Sequence, residues 1–144
     1  MTFEELRRLL ESEARNRADT IRDVTSEGAD GIRVVLETTP GRSHAVWIRR
    51  RSGPDAEVAQ CIALAARVPK GQALAPHISS QLLRQNATLP FGAWGLVQLG
   101  DADYVALIRG LPLPFTEPAE AVLCVIGLAN AADAFEESQG DDSF

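Results

Sequence analysis

The sequence predicts an α+β fold. It is a single domain of order α-β-β-β-α-β-β-α, with an antiparallel five-stranded sheet packed by helices. Three observations lead there. Alternating apolar residues recur in short runs separated by Gly/Pro turns, which is how antiparallel strands joined by hairpins read. Segments of helical period stand before, between and after those runs, so no β-α-β alternation of a parallel sheet develops. At 144 residues with 45% hydrophobic content the chain suits one core.

Thr2 followed by Glu5 is a capping-box pattern, and Phe3, Leu6, Leu9, Leu10 and Ala14 recur at helical spacing, which predicts a first helix over about residues 3–16. Residues 17–30 are ambiguous. Ile21 and Val24 are their only strong apolar residues, and either a helix extension or a short irregular strand fits. Gly31–Thr38 reads as a strand with Ile32, Val34 and Leu36 on one face; Pro40-Gly41 turns the chain into a partner strand, Ser43–Arg51, with Val46 and Ile48 inward. Val58–Val68 is the third strand. There Ile62, Leu64, Ala66 and Val68 alternate with Cys61, Ala63 and Ala65, small residues that suit a closely packed helix.

The second helix is expected over about 74–86, with Pro76 in its first turn and Asn86 at its C-cap. Phe91–Leu99 and Tyr104–Arg109 form a second hairpin around Gly100-Asp101, and Leu111–Phe115 reads as an extended connector. The last helix starts at Thr116 or Glu117 and runs to about Glu136. It is apolar nearly all round, with Gly127 leaving room for a second backbone. Glu136 and Glu137 lie at its negative end, where acids are unfavourable and fraying is expected. The domain thus covers residues 1–137, and 138–144 reads as a disordered acidic tail.

Charge narrows the function classes. The formal net charge is -6, and it is uneven: residues 1–72 hold twelve basic and eleven acidic side chains, residues 73–144 two and nine. So acidic a chain gains no general attraction to nucleic acid or anionic lipid, and neither is expected as a partner. The Arg49-Arg50-Arg51 run suits a solvated hairpin end. Cys61 and Cys124 belong to no metal-binding spacing and sit in apolar runs, as core thiols do. A charged N-terminal stretch without a signal-peptide core, and a longest uncharged apolar run (Ala121–Ala132) too short for a bilayer, make a cytoplasmic location the expectation.

Catalytic chemistry has few candidates. His44 at a strand start and His77 in the second helix's first turn each read more simply as surface or capping histidines. Asp101 and Asp103 could clamp a cation but equally serve the turn beside Gly100. No nucleophile elbow, phosphate loop or zinc signature is present, so no catalytic, metal or cofactor residues are assigned.

The stretch Leu82-Leu83-Arg84-Gln85-Asn86, followed by Leu89-Pro90-Phe91-Gly92-Ala93-Trp94, the hairpin Gly95–Leu99/Tyr104–Leu107 and a long final helix, resembles the type III secretion chaperone-like fold, in the YbjN/CesT-like group. The resemblance implies a non-enzymatic domain that pairs as a homodimer and binds extended segments of other proteins. Such a role needs exposed apolar surface. Leu6, Leu9, Leu10, Val35 and Trp47 are the candidate partner-binding residues; Leu82, Leu83, Trp94 and Leu96 are the candidate dimer interface. Two other readings stand beside it: a small ligand-binding domain or enzyme using His44 or Asp101/Asp103, and a structural subunit docking through its last helix.

Overall fold

The structure is a computed structural model that describes residues 1–139. Its elements are α1 (Phe3–Asn16), β1 (Ile21–Ser26), β2 (Gly31–Thr39), β3 (Arg42–Ser52), β4 (Glu57–Val68), α2 (Pro76–Asn86), β5 (Ala93–Leu99), β6 (Ala102–Pro112), a 3-10 turn at Leu113–Phe115 and α3 (Pro118–Ser138). The strands form one antiparallel sheet in the order β1-β2-β3-β4-β6-β5.

The sheet has six strands where five were expected, because residues 21–26 form an edge strand. A register shift between Ile21 and Asp23 explains the ambiguity. An extra residue in a bulge lets two core-facing side chains stand three positions apart, which imitates helical spacing. Ile21 is fully buried and Val24 packs on the same core. A second bulge, between Leu64 and Ala66 in β4, corrects another expectation. Ile62 and Leu64 face away from the helices, but beyond the bulge Ala66 and Val68 join the helix-side core.

The Thr2–Glu5 capping box forms in full, and α1 buries Phe3, Leu6 and Leu10. Each aliphatic side chain so buried contributes about 1.5–3 kcal/mol. α3 lies across β2, β3, β4 and β6 and touches α1. Its seat is the row Ala59, Cys61, Ala63 and Ala65 of β4, all fully buried. The small side chains let the helix approach closely, as their alternation implies. α3 is long and apolar enough by composition to cross a membrane, which corrects the length argument drawn from Ala121–Ala132, yet half of its most apolar window is buried inside the protein.

Three local expectations change. The Leu111–Phe115 connector is instead the end of β6 followed by a 3-10 turn. The C-terminal end of α3 does not fray at Glu136, whose side chain is buried. The expected disordered tail begins too early: Ser138 ends α3 and Gln139 caps it, while residues 140–144 lie outside the described residues.

Gly127 admits a ring rather than a backbone. A Cβ there would stand 2.6 Å from Cζ of Phe91. Replacing a helical glycine by alanine ordinarily gains about 1 kcal/mol. We expect Gly127→Ala to lose that gain in the native background and recover it in Phe91→Ala, a coupling of roughly 1 kcal/mol or more. Urea denaturation of the four proteins in the cycle measures it.

Candidate functional sites

The first site forms where α2 meets the edge strand β5. Trp94 anchors it. Its indole is buried and packs on Phe135 of α3 with ring centroids 5.1 Å apart. The Trp94 Nε1–H donates to Gln85 Oε1 at 2.9 Å. The Trp94 backbone N–H donates to Asn86 Oδ1 at 2.6 Å, and its carbonyl accepts from Asn86 Nδ2 at 3.2 Å. Asn86 therefore does not serve as a left-handed cap. It is the last helical residue, Ala87 is the C-cap with αR backbone, and the Asn86 side chain acts as a one-residue strand against Trp94.

Those bonds define the direction of the β5 backbone. Alternate residues of a strand turn their N–H and C=O groups to the same side. Trp94 turns its pair away from β6, so Leu96 and Gln98 also present theirs outward. No strand lies beyond β5 among the described residues. The strand Ala93–Leu99 carries no charged residue, whereas the opposite edge, β1, has Arg22, Asp23 and a bulge. Charges and bulges are the usual protection of an edge, and β5 has neither.

Beside that edge lies an open apolar groove of about 190 Å³ between α2 and β5. All four residues expected at a dimer interface line it: Leu82 and Trp94 form its buried floor, while Leu83 and Leu96 are 70% and 56% exposed. None of its lining residues is ionisable.

The residues expected to bind a partner are placed differently. Leu6 and Leu10 are wholly buried in the core of this chain and Leu9 is half-buried. Leu6 and Leu10 thus finish the core instead of offering surface, while Leu9 packs on the core and keeps part of its side chain at the surface. Val35 and Trp47 are half-buried on the sheet face opposite the helices, as the strand alternation implies. Trp47 joins Ile62, Leu64, Ala106, Val97, Leu99, Tyr104 and Ile108 in a second apolar cluster, and the Arg33 guanidinium lies 5.7 Å from its ring.

The second site surrounds His44. Contrary to the surface or capping role expected of it, His44 is 1% exposed. It faces Asp133 and Glu136, both buried on α3, while Arg42 and Thr38 close the group from β3 and β2. The Arg42 guanidinium donates to both Asp133 oxygens, at 2.9 and 3.3 Å, and the Thr38 hydroxyl donates at 2.8 Å. His44 Nδ1 stands 3.6 Å from Asp133 Oδ1 and 4.0 Å from Glu136 Oε2. Its Nε2 lies 2.6 Å from the Leu64 carbonyl oxygen. A carbonyl only accepts, so Nε2 carries the proton. One ligand atom each from His44, Asp133 and Glu136 falls within 4.8 Å of the others.

Asp101 and Asp103 are exposed in the β5–β6 hairpin, and neither belongs to a group of three potential metal ligands among the described residues. His77 is exposed on α2. Cys61 and Cys124 are free, buried thiols meeting between β4 and α3. The hydrogen bond to Cys124, together with burial, pushes the Cys61 thiol well up. In Arg49-Arg50-Arg51, Arg50 pairs with Glu57 and Asp30, and Arg51 donates to Gln60.

No protein-family model matches the chain, and no curated protein or solved structure matches it.

The buried group makes the fold sensitive to acid. Desolvation holds the His44 imidazole below its usual 6.5, against the raising effect of the Leu64 carbonyl and Asp133. Burial alone would raise the Asp133 carboxyl, but the Arg42 and Thr38 hydrogen bonds outweigh it and hold the group below its usual 3.8. Both folded values are depressed, so in each case the unfolded chain takes up protons first. In chelator-containing buffer, stability should be full above pH 6.5, fall as His44 protonates, and fall again below pH 3.8. Asp133→Asn should flatten the lower step. Urea midpoints across this range measure both.

Proposed function

We propose that the chain is a non-enzymatic protein-binding module that works as a homodimer, with a second copy seated on the α2–β5 edge. The observation that carries this reading is an uncharged edge strand with outward backbone groups, bordered by an apolar groove on which Leu83 and Leu96 stand exposed. Exposed apolar patches beside a strand edge are the ordinary means of binding protein by strand addition.

Charge favours the second copy as occupant. Two chains of formal net charge -6 repel one another. They meet most cheaply where neither presents ionised groups, and the groove and its strand meet that condition. Antiparallel pairing of β5 with its symmetry mate also suits the two-fold logic of homodimers, in which one patch faces itself. Asn86 occupies the edge at Trp94, so the pairing centres on Val97, with Leu96 opposite Gln98 of the partner. Leu96 and Leu83 then close over the partner's groove. The proposed pairing agrees with the homodimer that the secretion-chaperone-like resemblance implies.

The enzyme reading finds less support. His44, its strongest candidate, is 1% exposed, so its imidazole presents almost no surface to a substrate. The docking-helix reading is weakened because α3 fills the core.

Sedimentation velocity at tens of micromolar should return a dimer. Leu96→Lys should raise the dimer dissociation constant at least tenfold, since it places like charges across the two-fold. Leu123→Lys, at a residue 65% exposed on α3, should leave it unchanged. A strict monomer, or a dimer indifferent to Leu96→Lys, would overturn the proposal.

A further inference from the structure

We infer that His44 Nδ1 and the carboxylates of Asp133 and Glu136 form a binding site for one divalent ion of the zinc class. The observations are separate from those behind self-association. Metal–nitrogen and metal–oxygen bonds to such ions are about 2.0–2.2 Å, so two ligands of one ion stand up to about 4.4 Å apart. The separations of Nδ1 from Asp133 Oδ1 (3.6 Å) and Glu136 Oε2 (4.0 Å) fall within that limit, and one ligand atom from each of the three residues lies within 4.8 Å of the others, so a small side-chain adjustment closes the set.

The imidazole is fixed for the task. Donation from Nε2 to the Leu64 carbonyl leaves Nδ1 with its lone pair, aimed at the two carboxylates. Nδ1 is buried and has no hydrogen-bond partner. A lone pair facing two anions is repulsive, and a cation between them turns each contact into a bond. A backbone carbonyl holding the far nitrogen is the usual support of a metal-bound histidine. Thr38 and Arg42 orient Asp133 in the same way.

Charge agrees. Asp133 and Glu136 lie near the C-terminal end of α3, which itself bears about half a negative charge. With His44 neutral, Arg42 is the one formal cation among the five residues, set against two carboxyl groups. An imidazole with two carboxylates suits zinc or manganese better than calcium or magnesium, which prefer all-oxygen shells. The ion would join α3 to β3 at the end of the helix. The Arg42 side chain is partly exposed where His44, Asp133 and Glu136 are buried, and the ion would enter on that side.

The experiment is calorimetric titration of the full chain, stripped with chelator, with Zn²⁺, Mn²⁺ and Mg²⁺ in turn. One Zn²⁺ per chain should bind at micromolar concentration or below and raise the thermal midpoint, with Mg²⁺ bound at least tenfold more weakly. His44→Gln and Asp133→Asn should each weaken Zn²⁺ at least tenfold, whereas His77→Gln and Asp103→Asn should not. Because variants in a buried group could unfold, imidazole ¹⁵N resonances of the unsubstituted chain supply a second reading: Zn²⁺ should shift His44 Nδ1 and leave Nε2 protonated. Absence of binding at millimolar Zn²⁺, loss of binding in His77→Gln, or a proton held on Nδ1 in excess Zn²⁺ would each overturn the assignment.

Discussion

Everything in this molecule depends on how closely α3 can lie on the sheet. The helix covers four of the six strands, and it does so over a row of alanines and one cysteine on β4. Larger side chains there would lift it. The packing has two consequences at its ends. Phe135 reaches the indole of Trp94, which fastens the outermost strand, β5, to the core. Two residues before and one after that phenylalanine, Asp133 and Glu136 are carried beneath the β2–β3 hairpin and meet Arg42 and His44. Both candidate sites are thus products of one helix position.

The α2–β5 edge shows how local polar chemistry can position an apolar surface. Gln85 and Asn86 are adjacent at the end of α2, and together they hold the ring N–H and both backbone groups of Trp94. A buried indole or amide without such partners costs about 1–3 kcal/mol per group. With them, the helix and strand are locked at a fixed separation, and the groove between them keeps its shape. The bonds also close the edge at Trp94 and leave it open from Leu96 onward.

The helices and five of the strands were legible because their periods are clean: the alternation of Ile32, Val34 and Leu36, the helical spacing of Phe3, Leu6 and Leu10, and the proline at the start of α2 all survive in the fold. The sixth strand was not, because its bulge breaks the two-residue period and leaves Ile21 and Val24 at a helix-like interval. That Leu82, Leu83, Trp94 and Leu96 share one groove was legible, since short-range spacing brings α2 and β5 together. Leu6 and Leu10 were not separable from surface residues, because one apolar stripe serves either purpose. The His44 cluster was invisible. Its β2–β3 and α3 members are separated by about ninety residues, and Glu136 and Glu137 read as a fraying helix end; the signal available was acids at a helix end where the dipole disfavours them.

The central claim is that β5 is an unprotected edge completed by a second copy. Amide hydrogen exchange at Leu96 and Gln98 tests it most directly, because their N–H groups point where the partner strand would lie. The account predicts that both amides slow markedly as the protein is concentrated from sub-micromolar to tens of micromolar, while the Trp94 amide, already held by Asn86, does not change. Equal and rapid exchange of Leu96 and Gln98 at both concentrations would contradict it.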